Sequence, residues 1–194
     1  FRGKLTKNQE KELFNWIKEL KIKELTLYCF SNENLNRPKK EVEYLMKLFK
    51  EEFEKLRKDK RIHKEKIKIR ISGEKNFFNK DLKETLKKIE NETKNYKNYT
   101  VNFAMGYGGR QEIIQAVKKT IKQRKKITQE NIQKNLWIKN NPEMIIRSGG
   151  EKRMSNFLTW QSTYSELFFI EKYWPEIEKQ DIEEFKKRKR RFGK

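Results

Sequence analysis

Apolar positions along this chain recur at two spacings, and the spacing predicts where helices and strands fall. Leu13, Phe14, Ile17 and Leu20 share a helical stripe behind Thr6-Lys7-Asn8-Gln9, a capping-box start, so an amphipathic helix is expected over Thr6 to Leu20. Glu24 to Phe30 is largely apolar and β-rich, as in a strand covered on both faces, and it runs into the polar loop Ser31 to Pro38. Pro38 suits the first turn of a helix in which Val42, Leu45, Met46, Phe49, Phe53 and Leu56 recur at helical spacing. Ile67, Ile69 and Ile71 alternate with Lys68 and Arg70, the period of a strand, and Ser72-Gly73 ends it. Leu82, Leu86 and Ile89 mark the next helix, and Tyr99 to Met105 a buried strand that stops at Gly106-Tyr107-Gly108-Gly109-Arg110. Ile113, Ile114, Val117 and Ile121 give another helix. After the basic run Lys122 to Lys126, read as a solvated connection without function, come a short helix over Thr128 to Trp137 and a strand at Met144 to Ile146. A strand near Leu167 to Ile170 and a charged helix from Asp181 towards Arg191 complete the pattern.

Strands alternating with helices predict an α/β fold, a parallel sheet with crossover helices on both faces, in a single domain over residues 1–194. The loops Ser31 to Arg37, Ser72 to Glu74, Gly106 to Arg110 and Arg147 to Ser155 then all follow C-terminal strand ends. That is the edge where such sheets bind ligands. In the last of these loops the paired glycines Gly149 and Gly150 let the backbone approach a bound group, and Arg147, Lys152, Arg153 and Ser155 could converge on one anion. A solvated basic loop would contain the same residues. Gly106 to Arg110 opens a helix, where free N–H groups favour anions, although a tight turn explains it equally well.

Composition changes this picture little. The 49 Lys+Arg against 28 Asp+Glu give a formal charge of +21, which suits diphosphates, anionic lipid surfaces or nucleic acid without choosing among them. Heavy use of Lys, Asn and Ile weakens the charge further as a functional sign. The single cysteine, Cys29, excludes an intrachain disulfide and reads as a small buried hydrophobe. The single histidine, His63, lies in a basic run and reads as exposed. No apolar run approaches the roughly 20 residues of a membrane span.

Three stretches, taken in order, carry a resemblance. Leu25 to Pro38 (LTLYCFSNENLNRP), Val101 to Ile113 (VNFAMGYGGRQEI) and Ile146 to Phe169, followed by Tyr173-Trp174-Pro175 and Arg191-Phe192-Gly193, resemble the signature of the cis-prenyltransferases, the undecaprenyl and dehydrodolichyl diphosphate synthases. The resemblance covers nearly the whole chain. It implies a magnesium-dependent transferase of isoprenoid biosynthesis that condenses isopentenyl diphosphate with an allylic prenyl diphosphate to make a long polyprenyl diphosphate, the precursor of a lipid carrier. It implies Ser31, Asn34 and Arg37 as catalytic residues, with Asn34 assisting proton removal. Asn32, Glu33, Leu35, Arg147, Arg153, Met154, Ser155 and Gly193 would be substrate-binding, Gly193 within a segment that completes a partner subunit's site, and Glu166 would hold Mg2+. The helix containing Val42 to Leu56 would line a product tunnel. A homodimer, or a heterodimer, is expected, with peripheral attachment at the cytosolic face of a membrane or a cytoplasmic location.

The departures from the family pattern are specific. Its first motif, an aspartate that places magnesium beside a glycine-rich phosphate loop, does not occur in these residues, and Phe1 in place of methionine leads us to expect it upstream. Phe1-Arg2-Gly3-Lys4 stands where the family has Phe-Gly-His-Lys, and Leu35 where it has tryptophan. A non-catalytic accessory subunit of a heteromeric enzyme is the second reading, opposed by retention of Arg147, Arg153, Ser155 and Glu166. A basic nucleic-acid-binding protein is the third, opposed by Trp160, Tyr164, Phe168 and Phe169, which lie in an apolar stretch that reads as buried.

Overall fold

The structure is a computed structural model describing residues 15, 16 and 18–186, and it divides into two units, Lys23–Ile138 and the pair of segments Phe1–Ile22 and Lys139–Lys194. Most of the helix expected over Thr6 to Leu20 lies outside the described residues, as do Phe1 to Lys4 and Arg191 to Gly193. Within it, residues 15, 16, 18 and 19 are helical.

In the first unit, β1 (Glu24–Ser31), β2 (Ile67–Ser72) and β3 (Tyr99–Tyr107) form a parallel sheet in the order β1-β3-β2. Helices α1 (Lys39–Arg57), α2 (Lys60–Lys64), α3 (Lys80–Thr93), α4 (Gly109–Lys122) and α5 (Gln129–Asn135) connect and follow the strands. Tyr99 to Met105 was expected to be a buried strand, and β3 is the central strand, with Val101, Ala104, Met105 and Tyr107 buried. β1 was expected to be covered on both faces. It is instead half-buried along nearly its whole length, with only Phe30 enclosed, because it borders the sheet.

The opposite border is β2, and α3 closes it. Thr93 Oγ1 accepts the Ile69 N–H at 3.1 Å and Glu90 Oε1 accepts the Ile71 N–H at 2.8 Å. Side chains thus satisfy amides that an open edge would offer to another strand. The α1 stripe buries Leu45, Met46 and Phe53. α1 also meets α3 through polar contacts: Thr85 Oγ1 donates to Glu54 Oε1 at 3.0 Å, and Arg57 Nη2 reaches Glu92 Oε1 at 2.7 Å. His63 is not the exposed residue expected from its basic surroundings. It is half-buried, with Nδ1 2.9 Å from the Tyr96 hydroxyl and Nε2 2.7 Å from the Arg57 carbonyl.

Two glycines let the ends of β2 and β3 meet. Gly73 has φ +137° and Gly106 φ +59°, and Glu74 N–H donates to Gly106 C=O at 2.8 Å. A Cβ on Gly73 would lie 2.1 Å from the Met105 carbonyl oxygen, a backbone atom that cannot step aside. Gly73→Ala is therefore expected to destabilise the protein by roughly 2–4 kcal/mol, from the disfavoured dihedral and the overlap together, measurable by urea unfolding.

Burial pushes the Cys29 thiol up to about 12. At pH 8 the thiolate fraction is then on the order of 10⁻⁴, against about a quarter in an unfolded chain. Iodoacetamide is expected to label Cys29 rapidly only after denaturation; equal rates with and without denaturant would contradict this.

α4 departs most from its sequence pattern. Ile113, Ile114, Val117 and Ile121 mark the helix, yet Ile114 and Ile121 are exposed and the buried positions are Gly109, Glu112, Ala116 and Thr120. Polar partners make that inward face stable. Tyr107 OH donates to Glu112 Oε2 in a short bond, Ile138 N–H donates to Glu112 Oε1 at 2.8 Å, and Asn135 Nδ2 donates to Thr120 Oγ1 at 2.9 Å.

The second unit holds β4 (Met144–Arg147) and β5 (Glu166–Phe169), paired in parallel with Met144 opposite Glu166 and Arg147 opposite Phe169. A final helix, α6, covers Lys179–Lys186. Lys172 Nζ ties the chain after β5 to Asp181 at 3.0 Å. Phe168 is buried and Trp160 and Phe169 are half-buried, but Tyr164 is 74% exposed, so that part of the expected buried aromatic stretch faces solvent.

Candidate active site

Parallel pairing puts the ends of β1, β2 and β3 on one edge, since Ser31 is opposite Tyr107 and Ser72 opposite Ala104. The loops Ser31 to Arg37, Ser72 to Glu74 and Gly106 to Arg110 therefore share that edge, as expected of the first unit. β1 turns directly into a 3-10 helix, Asn32–Asn36, with Ser31 at its cap. Asn34 Oδ1 accepts the Ser31 N–H at 3.0 Å, and Arg37 N–H donates to the Asn34 carbonyl at 3.3 Å. Ser31, Asn32, Glu33, Asn34, Leu35 and Arg37 are thus one short structured turn, not the mobile loop its composition suggests. Arg37 is exposed and rests on Glu41 at 2.8 Å.

Polar groups in this turn are poised unequally. Asn32 Oδ1 is buried and has no hydrogen-bond partner among the described residues. Tyr28, below the turn, donates to the Tyr107 carbonyl at 3.4 Å and meets the Tyr107 ring edge to face at 5.8 Å. Burial, reinforced by the Glu33 carboxylate and opposed by a hydrogen bond with the Ser31 side chain, pushes the Tyr28 phenol up to about 12. It stays protonated, so it is a hydrogen-bond donor and no base.

The glycine turn before α4 is filled from within. Glu112, in the first turn of α4, is fully buried with its carboxylate engaged by Tyr107 and Ile138. A carboxylate near a helix N-terminus already meets the helix dipole. The tight-turn reading of Gly106 to Arg110 is the one this arrangement supports.

In the second unit, Arg147 ends β4 and bends its guanidinium over the loop that follows. Nη1 donates to Ser155 Oγ at 2.7 Å and to the Arg153 carbonyl in a shorter bond. Arg153 Nη1 meets Glu151 Oε2 at 2.5 Å in an exposed pair, the kind that an incoming anion displaces at little cost. Ser155, Asn156 and Leu158 adopt φ of 47°, 60° and 47°, a left-handed run with no glycine in it. The Arg147 contacts, the Phe157 N–H to Met154 C=O bond at 3.0 Å and the burial of Leu158 hold that run in place. Its sequence carries no signal for the conformation beyond Asn156.

Arg147, Arg153, Met154 and Ser155 therefore meet in one loop, Arg147 by its guanidinium, Ser155 by its hydroxyl, and Arg153 and Met154 by their carbonyls. The glycine pair plays a different part from the one expected. Gly149 N–H donates to the Lys172 carbonyl at 2.9 Å and Gly150 N–H to the Ile170 carbonyl at 3.0 Å, so these amides fasten the loop and leave an anion to the side chains.

Glu166 lies apart from that cluster within its unit. It starts β5 opposite Met144, three residues before Arg147 in the ladder, a separation of roughly 10 Å along the strands. Among the described residues no three His, Cys, Asp or Glu side chains gather to hold a metal ion. Such an arrangement fits magnesium only in its mode of one carboxylate completed by substrate phosphates.

Residues 4–193 match the family described as "Putative undecaprenyl diphosphate synthase". A tritrans,polycis-undecaprenyl-diphosphate synthase (geranylgeranyl-diphosphate specific) of Methanocaldococcus jannaschii is 43% identical over 95% of this chain and 71% of its own length. The enzyme of that name from Pyrococcus furiosus is 43% identical over 94% of this chain and 74% of its own. Among solved structures, a probable undecaprenyl diphosphate synthase from Campylobacter jejuni superposes with a TM-score of 0.90 at 32% identity, covering 96% of this chain and 91% of that one. Lavandulyl diphosphate synthase from Lavandula x intermedia, in complex with dimethylallyl diphosphate, gives 0.87 at 27% identity over 96% and 86%. By sequence motifs, by family match over almost its full extent and by fold, the chain belongs to the undecaprenyl diphosphate synthase family, the cis-prenyltransferases.

Proposed function

We propose that this enzyme adds isopentenyl diphosphate to an allylic prenyl diphosphate to build an undecaprenyl-length chain with cis double bonds, and that geranylgeranyl diphosphate is its primer. The carrying observation is the loop after β4: the Arg147 guanidinium is fixed on the Ser155 hydroxyl and the Arg153 carbonyl, and the exposed Arg153 guanidinium, on Glu151, belongs to the same loop. Forked donors of this kind suit a diphosphate. The primer assignment follows the names of the archaeal relatives. The family match across residues 4–193 supports reading both units as one catalytic domain.

In this reading Arg147, Arg153 and Ser155, with Met154 and Gly193, hold isopentenyl diphosphate. Ser31, Asn34 and Arg37 serve the chemical step, and Asn32, Glu33 and Leu35 bind substrate. The new carbon–carbon bond forms as the allylic diphosphate departs, and the isopentenyl unit gives up a proton. Asn34 is a neutral amide already accepting the Ser31 N–H, so it orients the group losing the proton and does not keep it. Magnesium, when bound with Glu166 among its ligands, supplies charge neutralisation for the departing diphosphate.

Dimethylallyl, geranyl, farnesyl and geranylgeranyl diphosphates offered in competition test the primer assignment. Geranylgeranyl diphosphate is expected to be consumed first; preference for a shorter primer would overturn it. A dimer is part of the same reading. β5 has a second edge with no strand beside it among the described residues, and exposed Leu167 and Tyr164 adjoin it. Sedimentation equilibrium distinguishes dimer from monomer. No helix among the described residues is long and apolar enough to cross a membrane, so attachment to the lipid that receives the product would be peripheral.

A further inference from the structure

The end of α4 and its connection to α5 have no assigned part in the chemistry, and they carry charge of one sign. Between Ile113 and Gln129 there is no acidic residue, while Lys118, Lys119, Lys122, Arg124, Lys125 and Lys126 fall within nine positions. All six are exposed, and none forms an ion pair with a described residue. Two large apolar side chains project among them, Ile121 at 57% and Ile127 at 59% exposure. Other cations of the first unit are paired with carboxylates, as Lys134 is with Glu130 at 2.5 Å and Lys50 with Asp81 at 2.7 Å.

The corner is held rigidly. Arg124, at φ 54°, ends α4: its N–H donates to the Ile121 carbonyl at 2.8 Å and the Lys125 N–H to the Thr120 carbonyl at 3.2 Å. Asn131 Nδ2 donates to the Lys126 carbonyl at 2.9 Å, and Asn135 Nδ2 donates both to Thr120 Oγ1 at 2.9 Å and to Gln123 Oε1 at 3.1 Å. These bonds fix the backbone that carries the cations and the two isoleucines before any partner arrives, which removes part of the ordering cost of docking.

We propose that this corner, Lys118 to Ile127, docks the enzyme on an anionic lipid bilayer, with the cations at the phosphate level and Ile121 and Ile127 entering the headgroup boundary. Clustered cations beside exposed aliphatic side chains suit such a surface. Nucleic acid fits less well, since residues 111–136 contain no aromatic side chain on which a base could stack. The assignment deepens the reading that the product is a lipid and rests on it for its purpose. Docking is measured without substrates, so it holds or fails independently of chain elongation.

The test is sedimentation of the full-length protein with vesicles of phosphatidylcholine alone or with one quarter phosphatidylglycerol. Binding is expected only to the anionic vesicles. Replacing Lys122, Arg124 and Lys125 together by Gln should weaken it by roughly 100-fold, about fivefold per cation. Replacing exposed Lys87, Lys94 and Lys97 by Gln removes the same charge elsewhere and should change it less than about threefold. Ile121→Ser with Ile127→Ser should weaken it by roughly tenfold while leaving its salt dependence unchanged. Equal losses from the two charge variants would reduce the effect to overall charge and overturn the proposal, as would equal binding to neutral vesicles. Loss of single-stranded RNA binding in the corner variant, with vesicle binding intact, would reassign the corner to nucleic acid.

Discussion

Arg147→Ala is expected to lower kcat/KM for isopentenyl diphosphate by about 10²–10³-fold, mostly through KM. The diphosphate of the isopentenyl unit keeps its charge and its bonds throughout the reaction, so a residue that grips it binds ground and transition states alike. Charge-assisted hydrogen bonds to the guanidinium account for about 1.5–3 kcal/mol of that loss. The remainder comes from the loop, because Arg147 also holds Ser155 Oγ and the Arg153 carbonyl and so anchors the left-handed run through Leu158. Arg147→Lys keeps the charge but loses the fork, and an intermediate effect is expected. Initial rates over a range of isopentenyl diphosphate concentrations separate the two constants. A fall confined to kcat would instead place Arg147 on the departing diphosphate.

Glu112→Ala should be the costliest single change in the first unit, at about 3–5 kcal/mol. Glu112 and Tyr107 are both fully buried, and the carboxylate serves two donors from opposite directions, Tyr107 OH and Ile138 N–H. Alanine would strand both donors in a site that water does not reach and leave a void as well. For a protein of this size each kcal/mol moves Tm by about 2–4 °C, so a fall of roughly 6–20 °C is expected. Glu112→Gln can still accept one bond and should cost less than half as much. Thermal unfolding of the two variants decides the matter, and a loss under about 1 kcal/mol for alanine would show that the network is dispensable.

The network also shows what the sequence could and could not disclose. Strands were legible where burial is two-sided or alternating, as in Tyr99 to Met105 and Ile67 to Ile71, because there apolar spacing directly reports contact with the core. The face of α4 was not legible. Ile114 and Ile121 lie outward and its inner face includes Glu112 and Thr120, which become acceptable core residues only through partners at Tyr107, Asn135 and Ile138. β1 looked like an interior strand, yet its neighbours in the sheet are fixed by pairing that no local pattern contains.

In the candidate site the side-chain chemistry of Arg147, Arg153 and Ser155 was visible at once, and the structure adds how the Arg147 guanidinium holds the loop that carries the other two. The use of the glycines was not, since the Gly149 and Gly150 amides find their acceptors some twenty residues along, at Lys172 and Ile170. The left-handed run at Ser155 to Leu158 has almost no compositional mark, because contacts from Arg147 and the burial of Leu158 impose it. The short helix α2 was missed altogether; the Asp59 side chain caps it by accepting the Arg61 N–H at 2.9 Å, within a stretch whose charges read as solvated surface.

The most direct measurement is incorporation of labelled isopentenyl diphosphate by the full-length protein, supplied with geranylgeranyl diphosphate and Mg2+, followed by analysis of product length and double-bond geometry. The account predicts stepwise elongation to a polyprenyl diphosphate whose added units are all cis. Absence of incorporation with every primer, or a product with trans units added, would contradict it.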